Sequence, residues 1–344
     1  MKKVCVIGHF GFGQNMFNGQ TIKTKIVTKE LEKEFGTDRV MKIDTHGGIK
    51  GLPQIIIKLL YAFVESKNII ILPAHNGIRV IVPLCVFINY VFHRKIHYIV
   101  IGGWLNEFLN KHKYIEKQLK KFTGIYVETN TMKKRLNARG LKNIYVMPNF
   151  KDINILAKDE LIYSNDEPFK LCTFSRVMKE KGICEAIGGV KAVNEKYGRT
   201  VFSLDIYGQI DSGQKKWFED LKNNFPEYIN YKGVVAFDQS VNVLKRYYAL
   251  LFLTYYEGEG FAGTLLDAMA AGVPTIASNW KYNNEIIDEG KTGMLVEVKN
   301  QKDLYDTLLS GMNATWNKMK IECITKASMY TPQKAIQILI EKIR

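Results

Sequence analysis

Residues 250–274 read Leu250-Leu-Phe-Leu-Thr-Tyr-Tyr-Glu-Gly-Glu-Gly-Phe-Ala-Gly-Thr-Leu-Leu-Asp-Ala-Met-Ala-Ala-Gly-Val-Pro274, and the fold is decided here. Leu250 to Thr254 is a short apolar run of strand length, apolar at successive positions as a strand covered on both faces requires. It passes into an acidic, glycine-rich loop that enters a helix near Gly263. Loop amides and the free N–H groups of a first helical turn together make an anion site large enough for a diphosphate. Glu259 stands just before that site and Asp267 eight residues later, on the second turn. A carboxylate accepts from both hydroxyls of a vicinal diol, so one of the two can hold a ribose and the other a sugar. The plainer alternative is an ordinary helix start whose acidic residues suit its dipole.

Outward from this stretch the same strand, loop and helix unit recurs. β-rich runs occur at Val4 to Ile7, Ile69 to Leu72, Tyr98 to Ile101, Ile125 to Val127 and Ile144 to Met147. A second series follows at Leu171 to Phe174, Ser203 to Tyr207, Leu250 to Thr254, Thr275 to Ala277 and Met294 to Val296. Alternation with helical stretches calls for an α/β protein with parallel sheets covered by helices. Each series opens with a buried strand and then a helix, near Gln20 to Phe35 and near Ile183 to Asn194; the first shows Ile22, Ile26, Val27, Leu31 and Phe35 on one side. At 344 residues two domains are expected, and the charged, aperiodic segment Lys151 to Pro168 is the natural linker. The expected division is 1–160, 161–330 and a terminal segment 331–344, where Ile336, Leu339, Ile340 and Ile343 follow helical spacing after Pro332. Ligands of parallel sheets bind beyond the carboxyl ends of strands. The loops to search are therefore Gly8 to Gly19, Pro73 to Gly77, Gly102 to Leu105, Glu128 to Thr131, Ser175 to Gly182, Gly208 to Gly213 and Tyr255 to Gly263.

Composition is that of a globular protein, 46% hydrophobic and 24% charged. Val4 to Ile7 is too short an apolar run for a signal peptide, so a cytoplasmic location is expected. Cys5, Cys85, Cys172, Cys184 and Cys323 lack metal-ligand spacing and read as reduced packing residues. Ile55 to Val64 and Val80 to Phe92 are too short to span a bilayer and read as core helices. The second, which runs into His93, Arg94 and Lys95, also suits a membrane-lying role. Charge is uneven: residues 1–165 hold 26 Lys and Arg against 12 Asp and Glu, a surplus of 14 within a chain total of +15. Between residues 111 and 142 ten basic residues, including Lys117, Lys120 and Lys121, face only Glu116 and Glu128. Such a patch fits anionic lipid headgroups, a phosphorylated substrate or nucleic acid, or is simply a solvated helix face. No recognised nucleic-acid motif accompanies it, and nucleic acid is not expected as a partner.

The segment Glu259-Gly-Phe-Ala-Gly-Thr-Leu-Leu-Asp267, followed by Ala268-Met-Ala-Ala-Gly-Val-Pro274, resembles the E-x7-E signature of the retaining glycosyltransferases of family 4, which have the GT-B fold. The resemblance implies two facing Rossmann-like domains, with Glu259 on donor-sugar hydroxyls and Asp267 on the nucleotide ribose. It places Gly260, Phe261, Ala262, Gly263, Thr264 and Leu265 around the donor. Here the second acid is Asp rather than Glu, and Ala262 stands where a glycine is usual. Ser175-Arg-Val-Met-Lys-Glu-Lys-Gly182 is similar to the family's G-R-L-x-x-x-K-G, which implies that Arg176 and Lys181 meet the donor diphosphate and neutralise the leaving group. The chain has no Asp-x-Asp pair, so neither a metal nor another cofactor is expected.

Gly11 and Gly13, with Asn18-Gly19-Gln20-Thr21, stand where the family has its first glycine-rich loop, over diphosphate and acceptor. His75 looks like its cleft histidine, Gly102-Gly103-Trp104 and Thr129 end strands toward the cleft, and Pro148-Asn149 resembles its domain junction. Gly208, Val234 and Val235 fall at expected base and phosphate contacts, while Glu285-Ile-Ile287 and Gly293-Met-Leu295 complete the pattern. In this fold the terminal helix commonly returns to the first domain. The implied function is transfer, with retention, from a nucleotide-diphosphate sugar, UDP-linked in particular, to a hydroxyl of a glycan or lipid-linked acceptor in surface polysaccharide assembly. Peripheral contact with an anionic membrane would suit the basic first domain. A sugar-nucleotide epimerase and a non-catalytic sugar-nucleotide-binding subunit are the alternatives.

Overall fold

A computed structural model of the chain describes residues 2–13, 19–45 and 52–344. It divides into two compact units, Met1–Asp152 with Thr331–Arg344, and Ile153–Tyr330. In the first unit β1 (Lys2–Gly8), β2 (Val40–Asp44), β3 (Ser66–Ile71), β4 (Lys95–Ile99), β5 (Gly124–Val127) and β6 (Ile144–Val146) form one sheet in the order β2-β1-β3-β4-β5-β6. In the second, β7 (Phe169–Phe174), β8 (Phe202–Tyr207), β9 (Ile229–Gly233), β10 (Ala249–Phe252), β11 (Thr275–Ser278) and β12 (Gly293–Val296) take the order β12-β11-β10-β7-β8-β9. Every pairing is parallel. β5, β10 and β11 are buried along their whole length, which is why they show as unbroken apolar runs.

β2 and β9 are absent from the runs picked out in the sequence. Both are edge strands, and their burial is intermittent. An edge strand needs apolar residues only where it meets the layer above, so Val40 and Ile43 suffice in β2 and Ile229 in β9.

Strand order fixes where the sheets can bind ligands. In the first unit the chain leaves β1 for β2 on one side and returns to β3 on the other, opening a crevice past the carboxyl ends of β1 and β3. In the second the corresponding switch lies between β7 and β10. The loops carrying the two sequence motifs follow those two strands.

The segment read as a linker packs within the second unit. Leu156 and Leu161 are buried, the Leu156 N–H donates to the Ala270 carbonyl at 3.0 Å, and Asn317 pairs with the Ser164 backbone. The terminal helix Pro332–Ile343 buries Ala335, Ile336, Leu339, Ile340 and Ile343 in the core of the first unit, beside Val4, Val6, Val27, Leu31 and Ile70. Ile336 is wholly enclosed. Ile336→Val, one methylene smaller, should lower the stability of this unit by about 1 kcal/mol. Denaturant titration that leaves the transition midpoint unmoved would show that the helix is not integral to that core.

Four of the five cysteines are buried as packing residues should be, whereas Cys184 is exposed because it lies on the outer side of the helix Ile183–Tyr197. No helix among the described residues is long and apolar enough to cross a membrane. Helices Leu52–Glu65 and Ile78–Phe92 are only partly core: Ile55, Leu59 and Phe63, and Ile78, Val82 and Cys85, point inward, while other apolar side chains of both are exposed.

Candidate functional site

Beyond β7 the chain runs alongside the loop after β8. Ser175 N–H donates to the Tyr207 carbonyl, Val177 N–H to Gln209, and Asp211 N–H back to Val177. A Cβ on Gly208 would lie 1.7 Å from the Ser175 carbonyl oxygen, so glycine is what lets these loops run in contact. Gly208 thereby sets the position of Arg176 from behind. The chain then tightens through a 3-10 turn, Lys179–Lys181, into Gly182 at φ 73, which is pressed against the Leu253 carbonyl just past β10. No side chain fits there, and that close approach brings Lys181 to the loop that carries Glu259.

Lys181 Nζ lies 2.5 Å from Glu259 Oε2, both side chains being nearly enclosed. Thr254 Oγ1 donates to the same carboxylate oxygen at 2.8 Å and receives the Tyr256 N–H at 3.2 Å. The Tyr255 N–H in turn donates to the Glu180 carbonyl, so the two loops are laced together around the ion pair. The Tyr256 ring lies 5.0 Å from Lys181 Nζ. Arg176 is by contrast largely exposed and sits 3.6 Å from Asp211.

Ala262 precedes the helix Gly263–Ala270, whose first turn has no side-chain cap. The Thr264 hydroxyl oxygen is buried without a hydrogen-bond partner. Uncapped amides at a helix start attract an anion, and Arg176 and Lys181 line the same cavity. Ser175, Arg176, Lys181, Tyr256, Glu259, Ala262, Gly263 and Thr264 line one open cavity at the β7/β10 switch. Its walls do not include Gly208, Val235, Gly260, Phe261, Leu265 or Asp267. Phe261 packs edge-on against Tyr330, Leu265 is core, and Asp267 is 3% exposed within the helix.

The first unit gathers its own candidates at the β1/β3 switch. Gly11 and Gly13 both have positive φ, and Asp44 at the end of β2 accepts the Phe10 and Phe12 N–H groups at 2.9 Å, pinning the loop between them. Gly19 begins the helix Gly19–Phe35, and Gln20 Nε2 donates to the Leu72 carbonyl at 2.9 Å, tying that helix to the end of β3. Asn18 lies outside the described residues. His75 is exposed, its ring 5.1 Å from Trp104 and 4.9 Å from Phe108; Gly103 is buried beside them. Thr129 caps the helix Asn130–Ala138 by accepting the Met132 N–H.

Sequence reasoning missed Thr254, Asp44 and Lys23. The first two are polar residues at or just past strand ends, where a buried partner is required, and that position was their only signal. Lys23 is buried, donates to Asn149 Oδ1 at 2.9 Å and covers the Phe150 ring. Burial pushes its pKa down to about 8, against the opposing pull of Glu128. In the unfolded chain the proton is held to about 10.5, so between those values the unfolded state binds more protons and stability rises with pH. The stability advantage of Lys23→Met over the parent should therefore shrink by about 2 kcal/mol from pH 7 to 9.5. A pH-independent difference between the two melting curves would contradict this.

Residues 168–313 match the family model described as glycosyl transferases group 1. Over 154 residues the chain is 29% identical to the GtfA subunit of the Streptococcus gordonii UDP-N-acetylglucosamine–peptide N-acetylglucosaminyltransferase, covering 44% of this chain and 29% of that one. Over 211 residues it is 26% identical to the Staphylococcus aureus poly(ribitol-phosphate) alpha-N-acetylglucosaminyltransferase, covering 60% of this chain and 40% of that one. The chain thus spans well under half the length of these curated relatives. Anabaena HepE, solved in complex with UDP, is similar in fold with a TM-score of 0.73 at 13% identity, covering 100% of this chain and 99% of that one.

Proposed function

We propose, from the premise that this chain carries a glycosyl transferases group 1 domain within a GT-B fold, that it moves a sugar with retention from a UDP-linked donor to a hydroxyl of a glycan precursor. The observation that carries this reading is the meeting of Lys181, Arg176 and an uncapped helix start around Glu259 at the β7/β10 switch. The cavity offers positive charge on two sides for a diphosphate and a fixed carboxylate for sugar hydroxyls. Among its lining residues only Glu259 is acidic, and it is already engaged by Lys181 and Thr254.

That environment favours a front-face displacement. The bond from the anomeric carbon to the diphosphate breaks, the bond to the acceptor oxygen forms on the same face, and the acceptor proton passes to the departing phosphate oxygen. Arg176, Lys181 and the helix amides stabilise the charge that builds on the leaving group, a role that elsewhere falls to a divalent metal. Glu259 holds the sugar in position. Asp267 is assigned to the donor ribose, and the first unit, with Gly11, Asn18, Gly19, Gln20, His75, Gly103 and Trp104, to the acceptor side. The surplus of basic residues in that unit suits a lipid-linked acceptor at the inner membrane face, in surface polysaccharide assembly.

Thermal shift against a panel of nucleotide sugars, followed by product analysis with and without chelator, tests the reading. UDP-sugar stabilisation with chelator-resistant release of UDP supports it. Epimerised donor without acceptor points to an epimerase, and stabilisation without turnover to a binding subunit. Thr254→Val should cost about 1.5 kcal/mol of transition-state stabilisation, near tenfold in kcat, because Glu259 loses the hydroxyl that orients it. Thr254→Ser should restore the rate; equal losses in both variants would mean that Thr254 acts only in packing.

A further inference from the structure

Helices Leu52–Glu65 and Ile78–Phe92 pack against one another in the first unit, each with one face in the core. Their outward faces are also apolar. On the first, Ile57, Leu60, Tyr61 and Val64 stand at i, i+3, i+4 and i+7, and Ile57 is 68% exposed. On the second, Phe87 and Val91, each 74% exposed, flank Tyr90. Eight of the eighteen exposed large apolar side chains among the described residues fall in these two helices, so the exposure is concentrated rather than scattered.

Charge in the sequence that builds this face is predominantly positive. From residue 45 to 106 the sole acidic residue is Glu65, against Lys50, Lys58, Lys67, Arg79, Arg94 and Lys95. The helix Lys113–Leu119 packs on Ile78–Phe92 and adds Lys117, its Lys113 being paired with Glu116, while Lys121 bonds the Tyr90 hydroxyl and covers its ring at 4.5 Å. Basic side chains thus border the apolar stripe directly.

We infer that this two-helix face is a docking surface for an anionic lipid bilayer, with Ile57, Phe87 and Val91 entering the acyl boundary and the exposed Lys95, Lys117 and Lys121 meeting headgroup phosphates. Apolar side chains flanked by Lys and Arg match the chemical gradient of a bilayer interface. A second copy of the chain fits poorly, because a two-fold contact would set the basic border against itself. The surface lies apart from the β7/β10 cavity in sequence and unit, and the inference stands whether or not the chain transfers sugar.

The full-length protein should sediment with vesicles containing about one third phosphatidylglycerol and only weakly with pure phosphatidylcholine. Part of that binding should survive high salt, since only its electrostatic component is screened. The triple variant Ile57→Ser, Phe87→Ser, Val91→Ser should bind at least about tenfold less tightly and lose the salt-resistant fraction. Lys95→Glu with Lys117→Glu and Lys121→Glu should lose the preference for anionic lipid. Substitutions at such exposed positions leave the core intact, and unchanged melting of each variant verifies this. Vesicle binding by the triple variant equal to that of the parent overturns the inference, as does absence of parent binding to either vesicle. A parent that self-associates in solution while the triple variant is monomeric also overturns it, and assigns the face to protein contact instead.

Discussion

Lys181→Ala is expected to lower sugar transfer by at least a hundredfold while weakening binding of the free nucleoside far less. A charge-assisted contact that strengthens as the leaving group departs is worth about 3 kcal/mol in the transition state. Lys181 has a second duty, since its ammonium lies 2.5 Å from the enclosed Glu259 carboxylate. Removing it leaves that carboxylate with the Thr254 hydroxyl and a neighbouring positive charge gone, so Glu259 is also displaced. Arg176→Ala should cost less, because Arg176 is 63% exposed and already paired with Asp211. The measurement is kcat and KM for both variants beside calorimetry with the nucleoside diphosphate. Activity that persists with both residues removed, or a parent enzyme abolished by chelator and restored by magnesium, would show that other charges handle the diphosphate.

The second large effect separates the two carboxylates. Glu259→Gln should retain nucleoside diphosphate affinity and yet transfer sugar about a hundredfold or more slowly, because Glu259 sits in the cavity and faces the sugar. Asp267→Asn should instead weaken both nucleoside diphosphate and intact donor by about 1.5 to 3 kcal/mol, the worth of an ionised acceptor for two hydroxyls. Asp267 is buried within its helix and is absent from the cavity wall, which makes this the more exacting arm. Each variant is first shown to be folded by its melting curve, since burial of Asp267 gives it structural work as well. If Glu259→Gln loses nucleotide affinity while Asp267→Asn keeps it, the two roles are exchanged. If neither variant changes binding or transfer, the donor site lies elsewhere.

The amino-acid sequence by itself determined the α/β class, the doubled series of parallel strands, the helices that follow Gly19 and Gly182, and the loops in which Arg176, Lys181 and Glu259 stand. These are legible because burial on both faces of a central strand forces an apolar run, and because a helix start beside an acidic, glycine-rich loop is a local pattern. The tertiary structure alone decided the rest. β2 and β9 escaped notice because polar residues interrupt them: Lys42 and Asp44 in β2 and Asn230 and Lys232 in β9 break the apolar run. The segment after Asp152 belongs to the second unit because Leu156 and Leu161 find apolar cover there, which their charged neighbours conceal. The outward faces of Leu52–Glu65 and Ile78–Phe92 could be told from core only once their neighbours were placed, since an apolar helix is written alike whether one side or both are covered. Lys181 and Glu259 are 78 residues apart, and Thr254 acts on the pair only because β7 and β10 lie side by side at the switch of the sheet. A contact of that range is set by strand order, and strand order follows from packing of the whole unit rather than from any local spacing of residues.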